Sequence, residues 1–210
     1  MRPTPPDDLK PYFQTLDDLD GVIDWAKFFG NSHPVEIDVG SGRGLFLVRA
    51  GLANPQINYL GLESDYREGR RAARRLKKRE MSNVRVLGGD CQIAFEKFIP
   101  PKSVAAVHVY FPDPWWKRKH RRRRVFTDEF VDQAARALKP GGLLHSWTDV
   151  EEYFGVISAL MDHHREFEKL PAPSGRTPEH DMDYQTSFER KKRKAGCTIW
   201  RGRWRRKGEV

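Results

Sequence analysis

Hydrophobic residues occur in short runs along the chain, and the stretches between them repeat their apolar positions with a helical period. The runs are rich in Val, Ile and Leu, which is typical of strands buried on both faces of a sheet. They predict strands over Val35–Val39, Ile57–Glu63, Val84–Leu87, Val104–Phe111 and Leu143–Trp147, and a late edge strand over Thr198–Trp204. The amphipathic stretches predict helices over Leu45–Ala53, Asp65–Glu80, a segment capped by Thr127 that stops at Lys139, and Val150–His164.

Because strands and helices alternate, the sequence predicts an α/β fold with a mostly parallel sheet and helices on both faces. We expect one domain over residues 21–210, preceded by a flexible Pro- and Asp-rich segment, residues 1–20. In such sheets ligands bind beyond the carboxyl ends of the strands. Glycines or acids stand at the predicted ends: Gly40-Ser-Gly-Arg-Gly44, Glu63, Asp90, Asp113 and Asp149.

The segment Asp38-Val-Gly-Ser-Gly-Arg-Gly44 predicts a tight turn between a strand and a helix, where Gly40 and Gly42 let the backbone approach a ligand. Leu45 stands where a dinucleotide-binding turn needs its last glycine. Asp38, directly before the glycines, would also repel a pyrophosphate. We therefore expect a cationic ligand that carries an amino-acid end.

S-adenosylmethionine has a sulfonium, an α-amino group, a ribose and an adenine, and so fits this expectation. Asp38 would face its methionine end, Glu63 its ribose hydroxyls and Asp90 its adenine amino group. The alternative interpretation is a tight turn in an α/β domain that binds no cofactor.

The stretch HVYFPDPWWKRKHRRRR, residues 108–124, joins three kinds of chemistry. Asp113 lies between two prolines, and we expect each proline to hold the residue before it, Phe111 or Asp113, in extended geometry. Trp115 and Trp116 offer flat surfaces for stacking on a base, although one of them is equally well explained as a core residue. A block of positive charge follows directly.

Basic residues are concentrated in two blocks, residues 117–124 and 190–207, neither of which contains an acid. The net charge of the chain is +9 and its pI about 9.7. The two blocks together carry 17 Lys and Arg residues, so the rest of the chain is acidic and the basicity is local. This pattern predicts a polyanionic partner, most simply a nucleic acid. Two solvated surfaces or frayed ends are the alternative.

Other classes of protein are disfavoured by the same sequence. Cys91 and Cys197 lack the paired spacing of a disulfide framework or zinc site, and His163-His164 is typical of a solvated helix end. No apolar run is long enough to span a membrane, and the N-terminus has no signal-peptide core. We expect a cytoplasmic protein without a metal.

Several segments resemble one known family. The segments WAKFFGNSHPVEIDVGSGRGLFL, YLGLE, VRVLGGD, VYFPDPWWKRKHRRRR, TD and TSFERK are similar to those of bacterial tRNA (guanine-N7-)-methyltransferases. The resemblance implies the class I methyltransferase fold, Rossmann-like with a seven-stranded sheet. It also implies S-adenosylmethionine as cofactor and methylation of a guanosine in the variable loop of tRNA. Asp38, where many members carry Glu, and Trp116, where a smaller residue is common, depart from the pattern.

The resemblance assigns roles to individual residues. Those matching the cofactor site are Asp38, Gly40, Gly42, Glu63, Asp90 and Asp113, with Asp113 also at the catalytic position. Those matching the substrate site are Lys117, Asp149, Thr186, Ser187, Phe188 and Glu189. The stretch that faces RNA comprises Lys119, His120, Arg121, Arg122, Arg123 and Arg124. From spacing alone, Thr186 and Glu189 fit a helix-capping box equally well, and Arg124 is also in position to pair with Asp128.

The N7 atom of guanine carries a lone pair and no proton, so methylation there needs positioning and charge stabilisation instead of a general base. Two alternatives remain open from the sequence. One is an amino-methyltransferase acting on another RNA base or on a protein. The other is a non-catalytic RNA-binding module on the same fold. The sequence does not decide between a monomer and a homodimer, or which tRNAs the chain accepts.

Overall fold

The computed structural model describes residues 8–173 and 186–208, except for the side chains of Arg121 and Ser187. These residues form one sheet of eight strands with helices on both faces. The strands are β1 (Phe13–Thr15), β2 (Val35–Val39), β3 (Asn58–Glu63), β4 (Val84–Gly88), β5 (Val104–Tyr110), β6 (Leu138–Thr148), β7 (Phe167–Leu170) and β8 (Trp200–Arg206). The α-helices are α1 (Trp25–Phe29), α2 (Leu45–Ala53), α3 (Tyr66–Lys77), α4 (Cys91–Lys97), α5 (Asp128–Ala137), α6 (Glu151–His163) and α7 (Ser187–Lys194). Two 3₁₀ helices span Leu16–Asp18 and Arg118–Arg123.

The strand order is β1-β4-β3-β2-β5-β6-β8-β7. Neighbours from β1 to β6 are parallel, whereas β8 is antiparallel to both β6 and β7. The predicted α/β fold with a mostly parallel sheet is confirmed. The strand order reverses between β2 and β5, and a ligand crevice opens at such a point beyond the carboxyl ends of the strands. The glycine-rich turn follows β2, and Asp113 follows β5.

Two hydrophobic cores lie on opposite faces of the sheet, because successive side chains of a strand point to opposite faces. One core joins α1, α4, α5 and α6 to the sheet through residues such as Ile37 and Leu60. The other joins α2 and α3 to the sheet through Tyr59 and Val86. The predicted strands and helices before residue 165 occupy their predicted places, with ends shifted by a few residues.

The C-terminal strand lies inside the sheet, so the prediction of an edge strand there is wrong. β8 lies between β6 and β7, and Trp204 in its centre is fully buried. The Trp204 indole N–H donates to Asp162 Oδ1 at 2.7 Å. The edge is formed by β7, which hydrophobic patterning does not predict because its sequence, FEKL, has only four residues and two of them are charged.

The sheet has eight strands instead of seven, because β1 pairs with β4 at the other edge. Phe13 of β1 is 6% exposed. Its ring fills the space left by two glycines, Gly69 and Gly88, where an added Cβ would lie 2.8 Å from a ring atom. Within the predicted flexible segment, residues 1–20, Leu9, Phe13 and Leu16 are thus buried. The flexibility of the segment stays a prediction, and residues 1–7 lie outside the described part of the chain.

Phe13→Ala is expected to lower the free energy of unfolding by about 3 kcal/mol or more, because it removes a buried ring from a tightly fitted site. Gln14→Ala on the same strand is the control, and a change within about 0.5 kcal/mol is expected there. Urea unfolding followed by circular dichroism measures both. If Phe13→Ala had no larger effect than the control, β1 would be a loosely attached segment.

Candidate active site

A cavity of about 540 Å³ opens beyond the carboxyl ends of β2 and β5. Its walls are the glycine-rich turn, the first turn of α2, one face of α3, Tyr110 at the end of β5, and the start of α7. Of the site residues predicted from the sequence, the cavity brings together Asp38, Gly40, Gly42, Thr186 and Phe188. It therefore joins the predicted cofactor turn to part of the predicted substrate segment.

The glycine-rich turn is shaped by residues in the left-handed region of φ. Gly40, Gly42 and Gly44 have φ values of 75°, 52° and 70°, which side chains with a Cβ rarely adopt. The N–H groups of Gly40 and Ser41 both donate to the carbonyl of Leu62, at 2.9 and 3.1 Å. The turn is thereby attached to β3, and the space in front of Gly40 and Gly42 is open.

Glu63 holds this turn in place with both of its carboxylate oxygens. The N–H of Gly42 donates to Oε2 at 2.6 Å, and the N–H of Asp65 donates to Oε1 at 2.9 Å. Each carboxylate oxygen can accept more than one hydrogen bond, so the predicted contact with ribose hydroxyls is compatible with this arrangement. Glu63 is not among the residues lining the cavity, and its contact with a ribose stays a prediction.

Asp38 lies at the base of the cavity and is 3% exposed. Burial, and secondarily the negative charge of Glu63, raise the pKa of its carboxyl from 3.8 to about 8. Charging this group in the ligand-free protein is therefore unfavourable. A cationic ligand would supply the missing counter-charge, which makes Asp38 selective for positive charge.

Asp90 caps α4, a helix that the amphipathic pattern did not predict. Its Oδ1 accepts hydrogen bonds from the N–H groups of Gln92 and Ile93, at 2.8 and 3.3 Å. The carboxyl group is exposed and does not line the cavity. Its other oxygen, Oδ2, receives neither of these bonds, which leaves an acceptor for the predicted contact with an amino group.

The corner around Asp113 differs from its predicted geometry. Phe111 has a φ of 54°, in the left-handed region, so the prediction of extended backbone there is wrong. The competing restraints are tertiary: its N–H donates to the carbonyl of Trp147 at 2.7 Å, and its ring stacks on Phe188 with centroids 6.1 Å apart. Asp113 itself is exposed and lies outside the cavity lining.

The basic block after the corner forms a 3₁₀ helix on the surface. Its exposed members include Lys117, Lys119, Arg122 and Arg123, whereas His120 is half-buried against Trp115. Arg123 stacks over Trp115, 5.2 Å from the ring centroid. The side chain of Arg121 lies outside the described part of the structure. These exposed cations form a surface beside the Asp113 corner.

Arg124 packs against the corner around Asp113 and helps to hold it in place. Its Nε donates to the carbonyl of Pro114 at 2.6 Å, and its guanidinium lies over the rings of Trp116 and Tyr153. Among the described residues no ion pair joins Arg124 to Asp128, and its contact with a phosphate stays a prediction. Trp116 is 46% exposed, so it is not a core residue.

The segment from Thr186 to Glu189 begins α7, as the capping interpretation predicted. The N–H of Glu189 donates to Thr186 Oγ1 at 2.9 Å. The Glu189 carboxylate is buried and pairs with Arg201 at 3.1 Å. Phe188 is 59% exposed and lines the cavity. Ser187 has its backbone in α7, and its side chain lies outside the described residues.

Asp149 connects α7 to the sheet. Its Oδ2 lies 2.7 Å from Nζ of Lys192, and this contact raises the pKa of Lys192. Asp149 is therefore brought to the same region as α7, as predicted, but one of its oxygens is engaged in the protein. Whether it also contacts substrate stays a prediction.

Sequence reasoning missed Tyr110 as a cavity residue. His108 Nδ1 lies 2.9 Å from the Tyr110 hydroxyl, and His108 Nε2 lies 2.8 Å from Glu36 Oε2. Burial, followed by the charge of Asp38, raises the pKa of Tyr110, which keeps the phenol neutral. Polar residues at alternate positions of otherwise apolar strands were the available signal, because a buried polar group needs a partner.

Comparison with known proteins places the chain in a family. A model described as a putative methyltransferase family matches residues 32–202. The tRNA (guanine-N(7)-)-methyltransferase of Rhodopirellula baltica is 40% identical over 98% of this chain and 78% of that protein. The protein of the same name from Hydrogenovibrio crunogenus is 34% identical over 90% of this chain and 78% of that protein. The chain belongs to the tRNA (guanine-N(7)-)-methyltransferase family.

Solved structures similar to the chain agree on its fold. A SAM-dependent O-methyltransferase from Thermotoga maritima has a TM-score of 0.53 at 18% identity, covering 89% of this chain and 64% of that chain. A mutant 16S rRNA (adenine(1408)-N(1))-methyltransferase from Catenulisporales acidiphilia, solved with the cosubstrate SAM, has a TM-score of 0.58 at 16% identity. That match covers 89% of this chain and 92% of the other. At such identities the likeness establishes the class I methyltransferase fold alone.

The residues of this family member fit S-adenosylmethionine. Asp38 is a buried acid suited to the cationic end of the molecule. Ser41 Oγ is buried beside it without a hydrogen-bond partner among the described residues. α2 begins without a side-chain cap, so its first N–H groups are available to a carboxylate.

Neither a metal centre nor a membrane span is present in the described residues. No group of three or more His, Cys, Asp and Glu side chains there is arranged to hold a metal ion. No helix in that part of the chain is long and apolar enough to cross a membrane. The absence of a metal from the protein stays a prediction.

Asp38→Asn is expected to stabilise the ligand-free protein more at pH 8 than at pH 4. With a folded-state pKa raised from 3.8 to about 8, Asp38 binds its proton more tightly when folded. Its contribution to stability is therefore lost as the pH rises from about 4 to about 8. Urea unfolding should show that the variant gains up to about 5 kcal/mol relative to the wild type over this range, since the pKa is raised from 3.8 to about 8 and one pKa unit is about 1.4 kcal/mol.

The exposed Asp20 provides the control, because Asp20→Asn removes the same charge from the surface and should give no such gain. Binding of S-adenosylmethionine to Asp38→Asn should be weakened as well. An equal stability difference from the wild type at both pH values would show that Asp38 is ionised in the folded protein.

Proposed function

We propose that this protein transfers a methyl group from S-adenosylmethionine to N7 of a guanosine in the variable loop of tRNA. The observation that carries the proposal is 40% identity over 98% of the chain to a tRNA (guanine-N(7)-)-methyltransferase. The buried acid beside an open glycine-rich turn supports the cofactor, and the exposed basic block supports an RNA substrate.

S-adenosylmethionine, when bound, supplies a methyl group activated by a positively charged sulfur. Asp38 faces its methionine end, and the open backbone at Gly40 and Gly42 gives the molecule room. Glu63 plays two parts, since its carboxylate fixes the turn and accepts from the ribose. Asp90 offers its second oxygen to the adenine amino group.

The reaction forms a bond from guanine N7 to the methyl carbon and breaks the bond from that carbon to sulfur. N7 has no proton, so no side chain has to remove one. Asp113 contributes negative charge near the purine, where positive charge develops. Its exposure before RNA binds is consistent with this role, because the substrate itself must cover it.

The RNA side of the site lies on the surface around the corner. Phe188 is an exposed ring at the cavity wall, available to stack on a base. Lys117, Asp149, Thr186, Ser187 and Glu189 are proposed to border the guanosine, with Glu189 acting through the position of α7. Lys119, His120 and Arg121 to Arg124 are proposed to contact phosphates, and Arg124 also supports the corner through Pro114. A cytoplasmic location, and the choice between monomer and homodimer, stay predictions.

Incubation with unmodified tRNA and methyl-labelled S-adenosylmethionine, followed by nucleoside analysis, tests the activity. The label should appear in 7-methylguanosine at one position of the variable loop. A tRNA with 7-deazaguanosine at that position should bind equally well and accept no methyl group, because it lacks the nucleophilic nitrogen. Label in a methylated amino group would indicate an amino-methyltransferase, and absence of transfer despite RNA binding would indicate a binding module.

Asp113→Asn is expected to slow the chemical step by roughly 100-fold, because it keeps the shape and removes the charge that stabilises the methylated purine. Affinity for tRNA should change little. Single-turnover methylation with binding measured in parallel separates the two effects, and Glu152→Gln, an exposed acid on α6, is the control. A near-normal rate would show that Asp113 is structural, and a loss confined to RNA affinity would make it a positioning residue.

A further inference from the structure

Helix α3 presents a surface of basic side chains that lies outside the two basic blocks and shares only Arg75 with the lining of the cavity. Between Tyr66 and Lys77 its sequence is YREGRRAARRLK, with Lys78 and Arg79 directly after it. Glu68 is its acid, whereas its basic residues are all exposed: Arg67, Arg70, Arg71, Arg74, Arg75 and Lys77. The surface formed by these six residues with Lys78 and Arg79 is termed the α3 basic surface.

Stability of the helix explains only part of this surface. Cations in its last turn, Arg74, Arg75 and Lys77, interact favourably with the helix dipole, whereas Arg67 and Arg70 lie nearer its start. Residues four apart are neighbours on a helix, and like charges at that spacing are destabilising. Arg67 and Arg71, Arg70 and Arg74, and Arg74 and Lys78 are such pairs. Glu68 is engaged by Arg43 and Arg71 and relieves only part of the repulsion. A helix selected for solubility alone would carry acids among these positions.

The surface continues to the candidate active site. Arg75 of α3 lines the cavity, and so do Arg190 and Lys191 of α7. Arg75 donates to the carbonyl of Arg43 in the glycine-rich turn at 3.0 Å. This bond attaches α3 to the turn at the edge of the cavity. Positive charge therefore surrounds the cavity from two helices that are distant in sequence.

The chemistry of α3 selects one kind of partner. Its apolar residues Ala72, Ala73 and Leu76 are fully buried in the core, so α3 has no free apolar stripe for insertion into a membrane. What it offers outward is a set of guanidinium and ammonium groups. Such a surface matches a row of phosphates.

We propose that the α3 basic surface binds the sugar–phosphate backbone of the tRNA substrate, as a third contact beside residues 117–124 and 190–207. The proposal rests on the proposed function, because Arg75 of this surface lines the cavity that is proposed to receive the cofactor and the guanosine. The repulsion between like charges in the free helix is then relieved by phosphates in the complex.

The test is a triple variant, Arg67→Gln, Arg74→Gln and Lys78→Gln. It leaves Arg71 and Arg75 in place, because these residues contact Glu68 and the glycine-rich turn. The matched control removes the same charge from exposed residues elsewhere: Lys27→Gln, Lys97→Gln and Lys139→Gln. A third variant, Arg67→Lys, Arg74→Lys and Lys78→Arg, changes the shapes and keeps the charge.

With an unmodified tRNA transcript as probe, the Gln variant on α3 should bind at least tenfold more weakly near physiological salt. Its log–log salt slope should decrease by about one for each phosphate that the helix no longer neutralises. The control and the charge-preserving variant should bind within about twofold of the wild type. Affinity for S-adenosylmethionine should be unchanged, which would show that the cavity beside α3 is intact.

Several results would overturn the inference. They are unchanged tRNA affinity of the Gln variant, an equal loss in the control, a similar loss in the charge-preserving variant, or a loss accompanied by weaker binding of S-adenosylmethionine. Unchanged tRNA binding with reduced binding to phosphatidylserine vesicles would identify a membrane surface instead. Nucleoside analysis keeps the two proposals separate: α3-dependent tRNA binding without 7-methylguanosine would refute the activity alone, and 7-methylguanosine formed with unchanged affinity by the Gln variant would refute the α3 contact alone.

Discussion

The bond between the N–H of Gly42 and the Glu63 carboxylate, 2.6 Å long, is the contact on which the rest of the site depends. It ties the glycine-rich turn after β2 to the end of β3 and so keeps the space in front of the turn open. It also places a negative charge beside buried Asp38, which helps to raise the pKa of Asp38 to about 8. One carboxylate thus holds the turn in shape and, together with burial, disfavours a further negative charge on Asp38.

The wall of the cavity that α7 forms depends on contacts between segments far apart in sequence. Phe111 stacks on Phe188, Asp149 pairs with Lys192, and Glu189 is buried against Arg201. Together they attach α7 to the ends of β5, β6 and β8. Residues that the family resemblance assigns to substrate binding therefore also hold the helix that carries them, and mutating Asp149 or Glu189 will move α7 as well as change any direct contact.

Negative and positive charges occupy different parts of the candidate site. Acids stand at the strand ends, where a cationic cofactor is expected, and bases stand on the surrounding surface, where RNA is expected. Asp38, at the bottom of the cavity, is desolvated and favours a positively charged ligand. The exposed Lys and Arg side chains remain hydrated and attract a polyanion through their combined charge. Positive charge on α3 and α7 borders the cavity, and the basic block beside the Asp113 corner adds a further proposed contact with the substrate.

The sequence by itself determined the parallel α/β sheet, the glycine-rich turn, the acids at the strand ends and the two basic blocks, because periodicity, glycine and charge are local signals. Only the tertiary structure decided what those signals left open. The left-handed Phe111, the buried Trp204 in an interior strand, and β1 seated on Gly69 and Gly88 all depend on partners distant along the chain. The pKa of Asp38 depends likewise on burial and on Glu63, neither of which is visible until the strands are side by side.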